Sequence, residues 1–298
     1  YPPFFLEICA VNFDWQATWM TEEHLMFKES TRKFMEAEIA PNADQWAEQG
    51  VVDRDFWLKA GSAGLLGASA PAEFGGAGVD QSFDALTIYE QARVGDAGWG
   101  FGVHNICLHY IMVYGNDEQK SRWLPGLVSG ETIPAIAMTE PGTGSDLQAV
   151  KTAATADGDD YIINGSKIFI TNGQQADLLI VVAKTDKEAG ASGVSLIVLE
   201  ASEVTGFQRG RNLRKLGMRG QDTSELFFED VRVPRANLLG QKEGRGFFQL
   251  MNQLGWERLV IGIGAVGAMD GMISETVRYV RERKAFGQRL MDFQNTRF

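Results

Sequence analysis

A carboxylate set among apolar residues is an unusual surface group and a useful base. Read as a helix, residues 250 to 265 place Leu250, Leu254, Glu257, Ile261 and Ala265 on one face, so that Glu257 is an acid inside an apolar stripe. Loss of water around such a group disfavours its charged form and raises its pKa towards neutrality, which suits general-base chemistry. The plain alternative is an ion pair with a nearby arginine. A second stretch, AIAMTEPGTGSDLQAVKT at residues 135 to 152, opens as a buried strand and then gathers Thr139, Glu140, Pro141, Gly142, Thr143, Gly144, Ser145 and Asp146 into one turn. Successive backbone N–H groups in a glycine-rich turn form a concave nest for electron-rich atoms, and hydroxyls add donors that can be oriented. Proline and glycine alone would be ordinary turn chemistry; the added hydroxyls suggest the edge of a cofactor site.

Two basic islands stand out in a chain of formal net charge -11. Residues 208 to 220 carry Arg209, Arg211, Arg214, Lys215 and Arg219 with no acid among them, and residues 278 to 289 carry Arg278, Arg281, Arg283, Lys284 and Arg289 against the single Glu282. Each is a candidate site for a small anion, with a solvated or ion-paired face as the alternative for the first.

Three segments must position these groups. Residues 21 to 130 read as a helical domain: Thr21 is an N-cap, Met20 and Leu25 flank it as a hydrophobic staple would, and Glu22 and Glu23 complement the helix dipole. Pro41 and the glycine-rich stretches at 61 to 67 and 73 to 78 punctuate the helical pattern. Residues 131 to 240 change period. Short apolar runs at 133–138, 161–164, 167–171, 178–184, 194–200 and 224–229 predict strands, and Asn164-Gly165 predicts a tight hairpin turn. No helix long enough for a parallel crossover lies between them, so the middle domain is expected to be antiparallel. Residues 241 to 298 start a C-terminal helical domain, with one long amphipathic helix from Gly246 to Arg283 and a further helix over 285 to 298. The fold class is α+β, with a C-terminal bundle expected to be truncated at Phe298 and residues 1 to 20 set aside as a leader of uncertain origin.

Composition excludes several functions. A content of 44% hydrophobic residues is ample for a core, whereas the acidic balance argues against a nucleic-acid surface. No uninterrupted apolar run approaches the eighteen or so residues of a membrane helix, so no membrane span is expected. Cys9 and Cys107 offer neither a disulfide framework nor a metal-ligand spacing, and a reducing compartment follows. His24, His104 and His109 lie in no triad or zinc pattern and read as packing residues. The string GIGAVG at 262 to 267 fits the dinucleotide fingerprint G-x-G-x-x-G, but its flanks read as one continuous helix with no βαβ unit; close helix packing is the alternative.

MTEPGTGSDL at 138, NGSKIFITNG at 164, DTSELFFEDVRVP at 222 and RERKAFGQRLMDFQ at 281 together resemble, in order and spacing, the flavin-dependent acyl-CoA dehydrogenases. The resemblance covers residues 21 to 298 and is strongest towards the long-chain type and its bacterial relatives. It implies FAD as cofactor, with the segment Ile136 to Ser145, Gly144 included, along the flavin: Thr139 donates to the ring, Met138 gives a backbone contact, and Ser145 reaches the pyrophosphate or the CoA thioester. Phe169 and Thr171 cover the other side, Thr171 near N5; many members carry tryptophan where this chain has Phe169. Arg283, Phe286 and Gln294 match the part that reaches the FAD of a neighbouring subunit. Glu257, in WERLV, matches the catalytic base of isovaleryl- and long-chain-type members, and Arg258 the residue that helps to position acyl-CoA. Gly255-Trp256 departs from the proline-containing pattern of close relatives. The expected activity is oxidation of saturated acyl-CoA to trans-2-enoyl-CoA in a homotetramer (a dimer of dimers), with electrons passed to an electron-transfer flavoprotein, in a bacterial cytoplasm or a mitochondrial matrix. The rival readings are an acyl-CoA oxidase and a non-catalytic chain that binds flavin or acyl-CoA.

Overall fold

In a computed structural model describing residues 17 to 95 and 98 to 297, the first helix starts directly after Thr21. Most of the expected leader, with Cys9, lies outside the described residues, as does Phe298. The Thr21 hydroxyl accepts from the His24 amide while the His24 ring accepts from the Thr21 amide, a capping box completed by histidine instead of glutamate. Helices α1 (Glu22–Glu38), α2 (Ala43–Gln49), α3 (Arg54–Ser62), α4 (Gln81–Arg93), α5 (Phe101–Tyr114) and α6 (Asp117–Ser129) follow. α5 is apolar nearly all round and is buried accordingly, with Phe101, Cys107, Leu108, Tyr110 and Ile111 inaccessible to water.

After Gly130, left-handed at φ 82°, the chain enters the sheet. Its strands are β1 (Pro134–Ala137), β2 (Ala153–Asp157), β3 (Asp160–Thr171), β4 (Leu178–Lys184), β5 (Val194–Glu200), β6 (Phe207–Asn212) and β7 (Thr223–Pro234). β2–β3, β3–β7, β6–β7 and β4–β5 pair antiparallel, as expected; β1, and β2 at one position, lie parallel to β4. β5 covers one edge of β4 from end to end, so β1 and β2 share the other edge, in line with each other. The chain between them therefore has to leave the sheet and return. β4 and β5 are buried on both faces: Ile180, Val182, Leu196 and Val198 join α5 and α6, while Leu179, Val181, Ile197 and Leu199 face β3 and β7. That double burial is why both read as unbroken apolar runs.

The hairpin is not at Asn164-Gly165. Those residues lie inside β3, and the turn is the two-residue loop Gly158-Asp159, with Gly158 at φ 61°. Gly165 serves a close approach, since a Cβ there would stand 2.4 Å from the Thr152 hydroxyl, and Asn164 bonds Asp230 across a bulge.

Helix α7 (Gly246–Glu282), 37 residues long, bears out the long helical pattern. GIGAVG lies wholly within it, which removes the dinucleotide reading. Its glycines divide. A Cβ on Gly267 would come within 2.3 Å of the Tyr89 carbonyl, and one on Gly271 within 2.1 Å of that of Arg93, whereas Gly262 faces open space. Close packing on α4 thus explains Gly267 and not Gly262. Gly267→Ala is expected to lower the unfolding free energy, read from urea denaturation, by about 1–3 kcal/mol through overpacking, and Gly262→Ala to raise it by up to about 1 kcal/mol through helix propensity. By length and composition α7 meets the requirement for a membrane span, a requirement that a core helix of a helical bundle also meets. The helix expected over 285 to 298 starts only at Gln294, as α8 (Gln294–Arg297). Before it, β8 (Lys284–Ala285) and β9 (Gln288–Arg289) form a hairpin, because Phe286 and Gly287 take left-handed conformations at φ 51° and 82°.

Candidate functional site

The excursion between β1 and β2 is the hydroxyl-rich turn, and two buried charges anchor it. Glu140 and Thr143 exchange backbone hydrogen bonds, and the Thr143 hydroxyl donates to Ala149 O. The Glu140 carboxylate accepts from the amides of Lys151 (2.6 Å) and Thr152 (2.9 Å) and from Lys167 Nζ (2.9 Å), which also donates to Met138 O (2.9 Å). Burial pushes the Lys167 ammonium down to about 8. Burial pushes Glu140 the other way, but Lys167 and the two amides hold its carboxyl below the usual range. Sequence reasoning assigned Glu140 to the turn and Lys167 to a strand, and missed the pair. Its trace in the sequence is a lysine at a core-facing position of β3.

With its base fixed, the turn presents an open rim. Cβ atoms on Gly142 or Gly144 would meet nothing within 4 Å, and Gly144 and Ser145 are exposed. Ile136, Met138 and Thr139 are half-buried, and Thr139 O accepts from Ile168 N at 2.9 Å, which ties the rim to β3. At that point β3 breaks register with β7 between Lys167 and Ile170. Phe169, left-handed at φ 62°, is turned out of the sheet and is 63% exposed, with Thr171 half-buried beside it. Asn172, also missed, pins this corner by donating to Gly100 O and Pro134 O. The structure thus brings Ile136, Met138, Thr139, Gly144 and Ser145 to the same end of the sheet as Phe169 and Thr171. An outward aromatic ring beside an open turn of amides and hydroxyls fits a flat ring system with a polar edge, such as a flavin.

Glu257 projects from α7 at the margin of the packed face. Of the expected stripe, Leu250 is buried and Leu254 and Glu257 are half-buried, but Ile261 and Ala265 are exposed. α7 meets α4 through Gly267 and Gly271 and has Val260 buried, so the packed face is rotated away from Ile261. The carboxylate accepts from the Tyr110 hydroxyl at 2.8 Å, a tyrosine bond where an arginine pair was the alternative. Burial raises the Glu257 pKa, against the Tyr110 hydrogen bond and the charge of exposed Arg258, both of which lower it. α5 connects the two halves of the site. Gly100, at its start, is bonded to Asn172, and Tyr110, about 15 Å further along the helix, holds Glu257. Ile136 and Met138 pack against the core cluster that contains Tyr110.

Arg283, Phe286 and Gln294 are not brought to this place. They lie at the far end of α7, with Arg283 about 39 Å along the axis from Glu257 and Phe286 97% exposed at the hairpin tip. Three members of the first basic island are tied to the fold: Arg211 makes two bonds to Glu225, Arg209 donates to Ala176 O, and Lys215 donates to the Thr223 hydroxyl, while Arg214 and Arg219 are exposed. His24, His104 and His109 are all buried, and among the described residues no cluster could hold a metal ion.

Three family models match the chain: the acyl-CoA dehydrogenase N-terminal domain over residues 21–131, the middle domain over 135–231 and the C-terminal domain over 244–298. The long-chain specific mitochondrial acyl-CoA dehydrogenase of Rattus norvegicus is 48% identical over 277 residues, which are 92% of this chain and 64% of that protein. The chain thus spans just under two thirds of the length of this relative. A crystal structure of an acyl-CoA dehydrogenase from Geobacillus kaustophilus, 47% identical, superposes with a TM-score of 0.90, covering 95% of this chain and 74% of the other. A glutaryl-CoA dehydrogenase from Mycobacterium smegmatis in complex with FADH2 is 31% identical with a TM-score of 0.85, covering 93% and 70%.

Proposed function

The chain belongs to the acyl-CoA dehydrogenase family, and on that premise we propose that it oxidises a saturated acyl-CoA to the trans-2-enoyl-CoA, with FAD as cofactor and Glu257 as the base. The observation that carries this reading is the half-buried Glu257 carboxylate, with a raised pKa, oriented by Tyr110 on the helix whose start also anchors the β3 corner at Asn172. A thioester makes its α-proton acidic, but a base must still be held against that carbon in its charged form and poised near neutrality. Burial of Glu257 provides the poise, and Tyr110 provides the orientation.

Ile136, Met138, Thr139, Gly144 and Ser145 on one side and Phe169 and Thr171 on the other are the residues to hold the flavin. Bound FAD supplies the acceptor for the β-hydride. Ser145 and Arg258, both exposed near the two halves of the site, would bind the acyl-CoA. Arg283, Phe286 and Gln294 are assigned to the FAD of a second copy in a homotetramer, since their distance from Glu257 leaves them no part in their own site. Electrons leave to an electron-transfer flavoprotein, in a bacterial cytoplasm or a mitochondrial matrix. The test is product analysis by mass spectrometry after incubation with a saturated long-chain acyl-CoA and an electron acceptor. The reading expects a thioester lighter by two hydrogens; unchanged acyl-CoA opposes it, and stoichiometric peroxide in air would mark an oxidase instead.

A further inference from the structure

The turn of α7 that carries Glu257 is weak by itself. A Cβ on Gly255, two residues before it, would meet nothing within 4 Å, and glycine in a helix interior gives up rigidity without packing in return. What holds this turn comes from α5. The Trp256 indole N–H donates to Asn105 Oδ1 at 2.9 Å, and its ring lies parallel to that of His109, 5.3 Å between centroids and 6° between planes. The next residue, Glu257, takes its hydrogen bond from Tyr110. Asn105, His109 and Tyr110 are buried, so none can swing away without opening the core.

We propose that Tyr110 is the positioning residue of the base: its hydroxyl holds one orientation of the Glu257 carboxyl, while Asn105 and His109 fix the backbone beneath it through Trp256. The proposal rests on Glu257 as the base and adds a residue through which that base acts. The groups that act electrostatically on Glu257 are Tyr110 and Cys107 from α5 and Arg258 from α7. Of α4, Asp84 bonds the His109 ring, Glu90 pairs with Arg32, and Tyr89 and Arg93 meet α7 at Asp270, about 20 Å further along the helix. Burial and the neighbouring carboxylate push both the Tyr110 hydroxyl and the Cys107 thiol up, so Tyr110 remains a donor and Cys107 stays uncharged throughout the working pH range. A fixed donor favours the carboxylate over the acid. Removing it must therefore raise the pKa of the base as well as loosen its side chain.

The experiment follows the Glu257 carboxyl by 13C NMR titration of chain labelled at the glutamate carboxyl, with Glu257→Gln assigning the signal. Tyr110→Phe keeps the ring and its packing and is expected to raise the midpoint by about one pH unit. Difluorotyrosine at position 110, a stronger acid and stronger donor, is expected to lower it, and supplies the test should the Phe variant fold poorly. In the holoprotein, the pH profile of acyl-CoA-dependent flavin bleaching should move with the NMR midpoint, cutting the rate at pH values below it by about tenfold. A purely structural role would depress the rate equally at every pH, and an unmoved midpoint in both variants overturns the proposal. The titration requires no turnover, so it stands apart from the base assignment, which fails if Glu257→Gln still bleaches.

Discussion

Replacing Glu257 by Gln is expected to suppress acyl-CoA-dependent flavin bleaching by at least about 10³-fold while leaving the flavin content of the protein unchanged. The substitution keeps the shape of the side chain, and the amide oxygen can still accept from Tyr110, so neither α7 nor α5 loses a contact. Only the capacity to take a proton goes. The same variant should be slightly more stable than the parent at neutral pH. Glu257 is raised in the folded chain, so its contribution is fully present below the ordinary glutamate pKa and is lost as pH rises through the folded value. Thermal melts at several pH values should therefore show the advantage of Gln appearing above the ordinary glutamate range and disappearing in acid.

The second large effect is expected at a residue that touches no reacting atom. Lys167→Met should destabilise the chain by about 3–5 kcal/mol, because it leaves the Glu140 carboxylate buried without its counter-ion and strips Met138 O of its donor. For a chain of this size that is a fall of roughly 10 °C in Tm. Flavin affinity should fall with it, since Met138 and the turn after it form one side of the proposed flavin site. Adding Glu140→Gln to Lys167→Met should recover part of the loss, as the uncompensated charge is gone; a double variant as unstable as the sum of the two singles would show that the pair does not act as a unit.

These expectations show which parts of the molecule are legible in its sequence. α7 was readable because 37 residues without proline give the helical period time to declare itself, and β4 and β5 because burial on both faces makes them continuous apolar runs. β2 and β6 were not. AATAD and FQRGRN carry little apolar signal, since each is paired mainly through its backbone and much of each is exposed. Asn164-Gly165 misled because glycine permits close approach as well as a turn, and only the neighbour at Thr152 tells which. The hairpin at 284 to 289 depends on a phenylalanine in a left-handed conformation, which no sequence preference announces.

At the site, the residues that face a ligand were legible and those that hold them were not. Glu257 stood out as an acid among apolar residues, and the turn after Met138 by its glycines and hydroxyls. Tyr110, Lys167, Glu140 and Asn172 reach their partners across 147, 27, 27 and 72 positions of sequence, respectively, and such pairings exist only once the chain has folded.

The central claim is that Glu257, the turn after β1 and the β3 corner at Phe169 and Thr171 form one flavin site for acyl-CoA oxidation. Its most direct test is the visible spectrum of the purified chain before and after anaerobic addition of a long-chain acyl-CoA. The account predicts a flavin spectrum that bleaches on addition. A bound flavin that keeps its colour at saturating acyl-CoA, or a protein that cannot be loaded with FAD, would contradict it.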